Sequence, residues 1–120
     1  MADLTCVWFE IPVTDLDRAR AFYGAVLQHE LTREDGGPNP MVAFSSMADP
    51  GVSGHLYPGR PAPAGTGPTI HLAAPDGLEA TASRVREAGG MVLSEPNSIP
   101  SGAFFYATDP DGNSIALFEA

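Results

Sequence analysis

The chain of 120 residues is 43% hydrophobic and 18% charged, the balance of one globular domain, which argues against disorder. Fifteen acids against six arginines and no lysine give a net charge of −9, which excludes the basic surface a nucleic-acid binder needs; it either keeps the protein soluble, the commoner role of such acidity, or favours a cationic ligand. A single cysteine, Cys6, excludes an internal disulfide and a cysteine-rich metal site, and no apolar run reaches the roughly 20 residues of a membrane helix. The opening residues lack a basic segment followed by an apolar one, so a cytoplasmic protein without a signal peptide is expected.

In chain order, the first element is an alternating strand carrying Phe9, Ile11 and Val13 on one face. Asp15 suits a helix start, Thr14 and Asp17 have capping-box spacing, and Leu16, Ala19, Tyr23, Val26 and Leu27 recur at helical spacing. A short strand follows near residues 30–34, then Asp49-Pro50-Gly51 turns into a closing strand through Leu56 and Tyr57. The Pro- and Gly-rich stretch 58–68 reads as a linker. The second half then repeats the first: a strand with Ile70, Leu72 and Ala74, and Asp76 with Glu79 at a helix start. Leu78, Ala82 and Val85 follow at helical spacing, with Gly89-Gly90 as the stop and a short strand at 91–94. The turn Asp109-Pro110-Asp111-Gly112 leads into the last strand.

The single domain, 1–120, is thus expected to be α+β, with one βαβββ module at about 5–57 and a second at about 69–120. Two such modules make an open, cup-like mixed β-sheet barrel with helices outside. Alternation puts Phe9, Ile11, Val13, Leu56, Ile70, Leu72, Ala74, Ile115 and Leu117 under the helices. The opposite parity places Trp8, Glu10, Ser53, His55, Tyr57, Thr69, His71, Ser114, Ala116 and Phe118 on the concave face.

The segment from Trp8 to Tyr23, the segment from Asp109 to Glu119, and the helix running into Gly89-Gly90 resemble the vicinal oxygen chelate superfamily over nearly the whole chain. This superfamily takes in glyoxalase, bleomycin resistance proteins and extradiol dioxygenases. The resemblance implies a homodimer with a small-molecule pocket lined by the sheets. In its enzymes it implies a divalent metal held at positions that fall here on Trp8, His55, Thr69 and Ala116. Only His55 can ligate, since an indole, a hydroxyl and a methyl group do not replace imidazoles and carboxylates. No cofactor is therefore expected by this count.

A second ligand set stays open. Gly77 lengthens the second module by one residue and leaves the register of His71 uncertain by one. On the inward position, His71 with His55 and Glu10 would suit zinc, nickel, iron or manganese. Glu10 and His71 are repeat counterparts and the candidate acid–base pair, Glu10 also being a candidate anion for a cationic ligand. Trp8, Tyr57 and Phe118, with Thr69, complete the expected ligand-binding set. Phe104 or Phe105 is expected in the core, since either parity fits, His29 is read as structural, and Cys6 as a small buried hydrophobe. Two functions follow: a small-molecule-binding protein of the bleomycin resistance type, or a glyoxalase-like lyase or isomerase, or dioxygenase, using a metal or Glu/His chemistry.

Overall fold

The computed structural model describes residues 5–45 and 51–120. Asp49 and Pro50 of the first repeat turn lie outside the described residues. In the first module, strand β1 (Trp8–Val13) leads to helix α1 (Leu16–Leu27), then to β2 (Thr32–Glu34), β3 (Met41–Ala43) and β4 (Ser53–Pro58). In the second, β5 (Ile70–Ala73) leads to helix α2 (Leu78–Glu87), β6 (Met91–Val92), β7 (Asn97–Ile99), β8 (Gly102–Thr108) and β9 (Ser114–Glu119). The modules give two mixed sheets, ordered β1-β4-β3-β2 and β5-β9-β8-β6, with β7 added along β8.

The repeat extends to the hydrogen-bond register. Trp8, Glu10 and Pro12 pair in parallel with Ser53, His55 and Tyr57, and His71 and Ala73 pair in the same sense with Ala116 and Phe118. The extra Gly77 leaves this register untouched. It is absorbed in the loop, where Asp76 and Gly77 adopt positive φ values of 63° and 92°. His71 is therefore the structural counterpart of Glu10, and does not slide to the position of Thr69.

Three expectations change. The two sheets do not close into a barrel: β1 and β5 are edge strands, and no ladder joins them among the described residues. β7 is an added strand, exposed along its length and flanked by prolines, so neither alternation nor burial announced it. The capping boxes do not form. Asp15, not Thr14, caps α1 through Arg18 N at 3.0 Å, while Thr14 is engaged elsewhere. Gly77 occupies the α2 cap position without a side-chain bond, because the insertion pushes Asp76 one residue out.

Both helices cover one continuous core. Phe22, Tyr23 and Val26 of α1 meet Leu56, Val85, Phe105, Ile115 and Leu117, all buried; the burial of Tyr23, Val26, Leu56, Val85, Ile115 and Leu117 follows the predicted spacings, while Phe22 and Phe105 join them in the structure. Phe105 belongs to this core, whereas Phe104 falls on the opposite face. Gly90 allows the closest approach, since a Cβ there would sit 2.5 Å from Thr108 O and 2.8 Å from the Phe22 ring.

The Asp109–Gly112 turn ties the modules together. Gly112 N donates to Asp109 O at 2.9 Å, closing the turn. The buried Asp109 carboxylate accepts from Tyr23 Oη at 2.7 Å, and from Asp111 N, Asn113 N and Asn113 Nδ2, each at 2.9 Å. Asn113 Nδ2 also donates to Pro12 O at 2.8 Å, and Asp111 accepts from Thr14 Oγ1 at 2.5 Å and Arg18 Nη2 at 2.8 Å. Burial first, then the negative charge and hydrogen bond of Asp109 and the charge of Asp111, push the Tyr23 phenol well above the usual tyrosine range.

Candidate functional site

Residues of one parity on β1 and β4 project together from the first sheet, away from the helices. Trp8 Nε1 donates to His55 Nδ1 at 2.8 Å, and His55 Nε2 lies 3.1 Å from Glu10 Oε1. Tyr57 sets its ring edge-on to His55 with centroids 6.2 Å apart. The His55 side chain is 13% exposed and that of Glu10 63%, so the imidazole forms the floor and the carboxylate reaches toward solvent. These groups border a cavity of about 260 Å³, closed on its far side by the loop from Gly37 through Met41. Glu10 also borders a second cavity of about 310 Å³, roofed by Ala62, Thr66 and Pro68 of the linker.

The second sheet offers a different surface. His71 packs edge-on against Phe104 and Tyr106, with centroids at 5.3 and 6.5 Å. Ala116 lies between His71 and Tyr106 in the ladder and is fully buried. Phe118 pairs with Phe104, and the Thr69 hydroxyl bonds the Ser114 hydroxyl at 2.6 Å. His29, its Nε2 2.9 Å from Phe44 O, borders a cavity of about 400 Å³ together with His71, Phe9 and Ser53. Cys6, expected as a small buried hydrophobe, is exposed two residues before β1, where no strand or helix among the described residues covers it.

The structure thus brings Trp8, Glu10, His55 and Tyr57 into one group, and places His71, Phe118 and Thr69 on the other sheet. Glu10 and His71 do not form the expected pair, because each pairs within its own sheet: Glu10 with His55, and His71 with Ala116. Asn39 and Pro40 of the loop before β3, and Met41 at the start of β3, were not expected to line the site. Phe104 was ambiguous in the sequence because both parities of the Phe104-Phe105-Tyr106 run are aromatic.

The residues present do not fit a divalent metal at the positions that the family resemblance assigns. Trp8 donates to His55 and occupies the ring nitrogen it faces, Thr69 is bonded to Ser114, and Ala116 has no donor atom. The alternative set of His55, His71 and Glu10 does not converge either. Among the described residues no three His, Cys, Asp or Glu side chains stand close enough to share an ion. What the site can do is accept a hydrogen bond or a positive charge at Glu10, stack a ring on Tyr57, and relay a proton along Glu10 and His55.

Comparison with known proteins places this geometry. CFP32 of Mycobacterium bovis, a glyoxylase by name, is 37% identical over 112 residues, which are 90% of this chain. This chain spans only 41% of the length of that relative. A glyoxalase/bleomycin resistance protein from Albidiferax ferrireducens superposes with a TM-score of 0.71 at 23% identity, over 95% of this chain and 98% of that one. TnmS3, an antibiotic-binding protein from Streptomyces sp. CB03234, superposes with a TM-score of 0.66 at 25% identity, over 98% and 97%. The family model matches residues 5–117, and with the paired βαβββ modules it identifies the chain as a member of the glyoxalase/bleomycin resistance protein/dioxygenase superfamily.

Proposed function

We propose that the chain is a small-molecule-binding protein that holds a planar, cationic organic ligand in the cleft beside Glu10, His55 and Tyr57, without the family's metal. The observation that carries this reading is the hydrogen bond from Trp8 to His55: of the four positions that the family resemblance implies for a metal, His55 is the one histidine, and its Nδ1 is already engaged by the indole. The half-exposed Glu10 carboxylate, the Tyr57 ring and the net charge of −9 support a cationic, aromatic ligand. The antibiotic-binding description of TnmS3 supports the same class. A homodimer belongs to this proposal, supported by exposed apolar side chains such as Met91 and Leu93 on the second module, and light scattering checks it.

Trp8 is the sole tryptophan and is bonded to His55 in the cleft wall, so its emission reports on the cleft through that contact. Titration with a panel of planar cationic compounds, DNA-binding antibiotics among them, is expected to give saturable quenching that Glu10→Gln and Tyr57→Ala weaken. A panel that leaves the emission unchanged overturns the reading.

The Glu10–His55 contact favours a second reading, an acid–base lyase or isomerase in which the carboxylate takes a proton beside a carbonyl. The glyoxylase name of CFP32 supports that class. Turnover of the methylglyoxal–glutathione hemithioacetal, abolished by Glu10→Gln, would decide for it.

A further inference from the structure

The contacts of His55 are directional, and this gives Trp8 a role that the size of its ring does not explain. An indole nitrogen only donates, so the atom it meets at 2.8 Å, His55 Nδ1, presents its lone pair. In the neutral ring the single proton is then on Nε2, 3.1 Å from Glu10 Oε1. The opposite tautomer would set an N–H against the indole N–H and a lone pair against the carboxylate. The tautomer of a histidine is decided by the partner of its other nitrogen, and here that partner is Trp8.

The chain of contacts ends at Glu10. His55 is mostly buried and held on two sides, by Trp8 through its Nδ1 and by the Tyr57 ring at 6.2 Å. Its Nε2 lies 3.1 Å from Oε1 of a carboxylate that is otherwise largely exposed, a charge contact set by the position of the ring. Oε2, with no hydrogen-bond partner of its own among the described residues, remains for a ligand. A carboxylate held in one place discriminates between ligands that differ only in a cationic N–H, because less side-chain freedom is lost on binding.

We infer that Trp8 is a positioning residue: it fixes His55 as the Nε2–H tautomer, and His55 then holds the Glu10 carboxylate so that the cleft prefers a cationic N–H donor to its neutral isostere. The preference for a cation rests on the proposed binding function; the tautomer does not.

The test has two arms on the full chain. In the first, the ring nitrogens of His55 are observed by 15N NMR without ligand, the resonances being assigned by their loss in His55→Gln. The expected spectrum has a pyridine-like Nδ1 and a pyrrole-like Nε2. Trp8→Phe should move the two resonances toward each other as the tautomers mix, whereas Glu10→Gln should keep them apart because the indole remains. In both variants, unchanged signals from the core aromatics establish that the fold is retained. A tautomer that survives Trp8→Phe, or one lost only in Glu10→Gln, overturns the inference.

In the second arm, binding of benzamidine and of its neutral isostere benzamide is compared by chemical-shift titration. Wild type should prefer benzamidine by about threefold, the scale of a partly exposed ion pair, and Trp8→Phe should erase most of that preference. An equal preference in both proteins refutes the selectivity. If neither probe binds while the tautomer behaves as expected, the positioning by Trp8 stands, and the selectivity falls together with the binding function.

Discussion

Replacing Tyr23 with Phe removes a single oxygen from the contact that ties the two modules. Tyr23 Oη donates at 2.7 Å to Asp109, whose carboxylate is buried and has three further donors. A hydrogen bond to a charged group contributes about 1.5–3 kcal/mol. The three surviving donors keep the carboxylate from being orphaned, which places the cost at the lower end, about 1.5–2 kcal/mol. Urea unfolding at neutral pH reads this directly, and thermal unfolding should show a fall in Tm of roughly 5–8 °C for a domain of this size. Alkaline pH adds a second signature. The unfolded phenol loses its proton near pH ~10, while the buried one keeps it to higher pH. Above pH ~10 the native state therefore holds the extra proton, and stability falls as pH rises, by up to about 1.4 kcal/mol per pH unit. Tyr23→Phe should lack that share of the decline. A loss below about 0.5 kcal/mol at neutral pH, or an alkaline slope identical in the two proteins, would refute the account of Tyr23 as the partner of a buried carboxylate.

Three other outcomes are expected. Gly90→Ala should destabilise the fold by about 1–3 kcal/mol in the same unfolding assay, because its methyl meets Thr108 O and the Phe22 ring; an unchanged midpoint would show that the turn yields. Asp111→Ala, which cuts the contacts to Thr14 and the half-exposed Arg18, should cost about 1 kcal/mol, with the loss shrinking in high salt. Untagged protein titrated with nickel, zinc, manganese or iron(II) should show no rise in Tm, since no convergent ligand set exists among the described residues; a rise that disappears in His55→Ala would contradict this.

The fold was legible because its signals are local and repeated. The alternation picked out Ile11, Val13, Ile115 and Leu117 as buried, whereas Phe9 is only partly buried and Ala116, on the concave parity, is covered by the strands on either side of it. The Asp109-Pro110-Asp111-Gly112 turn forms as its residues dictate. Capping was less legible: the capping-box spacing of Thr14 and Asp17 competes with the adjacent Asp15, and the contact of Thr14 with Asp111, across 97 residues, takes Thr14 away. The exposed β7 has neither apolar alternation nor burial to betray it.

For the site, parity along each strand selected Trp8, Glu10, His55, Tyr57 and His71 as concave, since consecutive side chains must point to opposite faces. Which of them touch is a different question, answered by how the strands pair and how far apart the two sheets stand. Pairing of β1 with β4 brings Glu10 to His55 and away from His71, and the loop at Gly77 takes up the extra residue without moving the register. Hydrogen-bond direction is likewise a tertiary property. From the sequence, strand parity put Trp8 and His55 on one face, and the resemblance to the superfamily implied that an indole stands where its enzymes hold a metal ligand. Only the folded chain turns that indole toward His55 and closes Tyr23 over Asp109, because both contacts join residues far apart in the chain and depend on distances that no local pattern encodes.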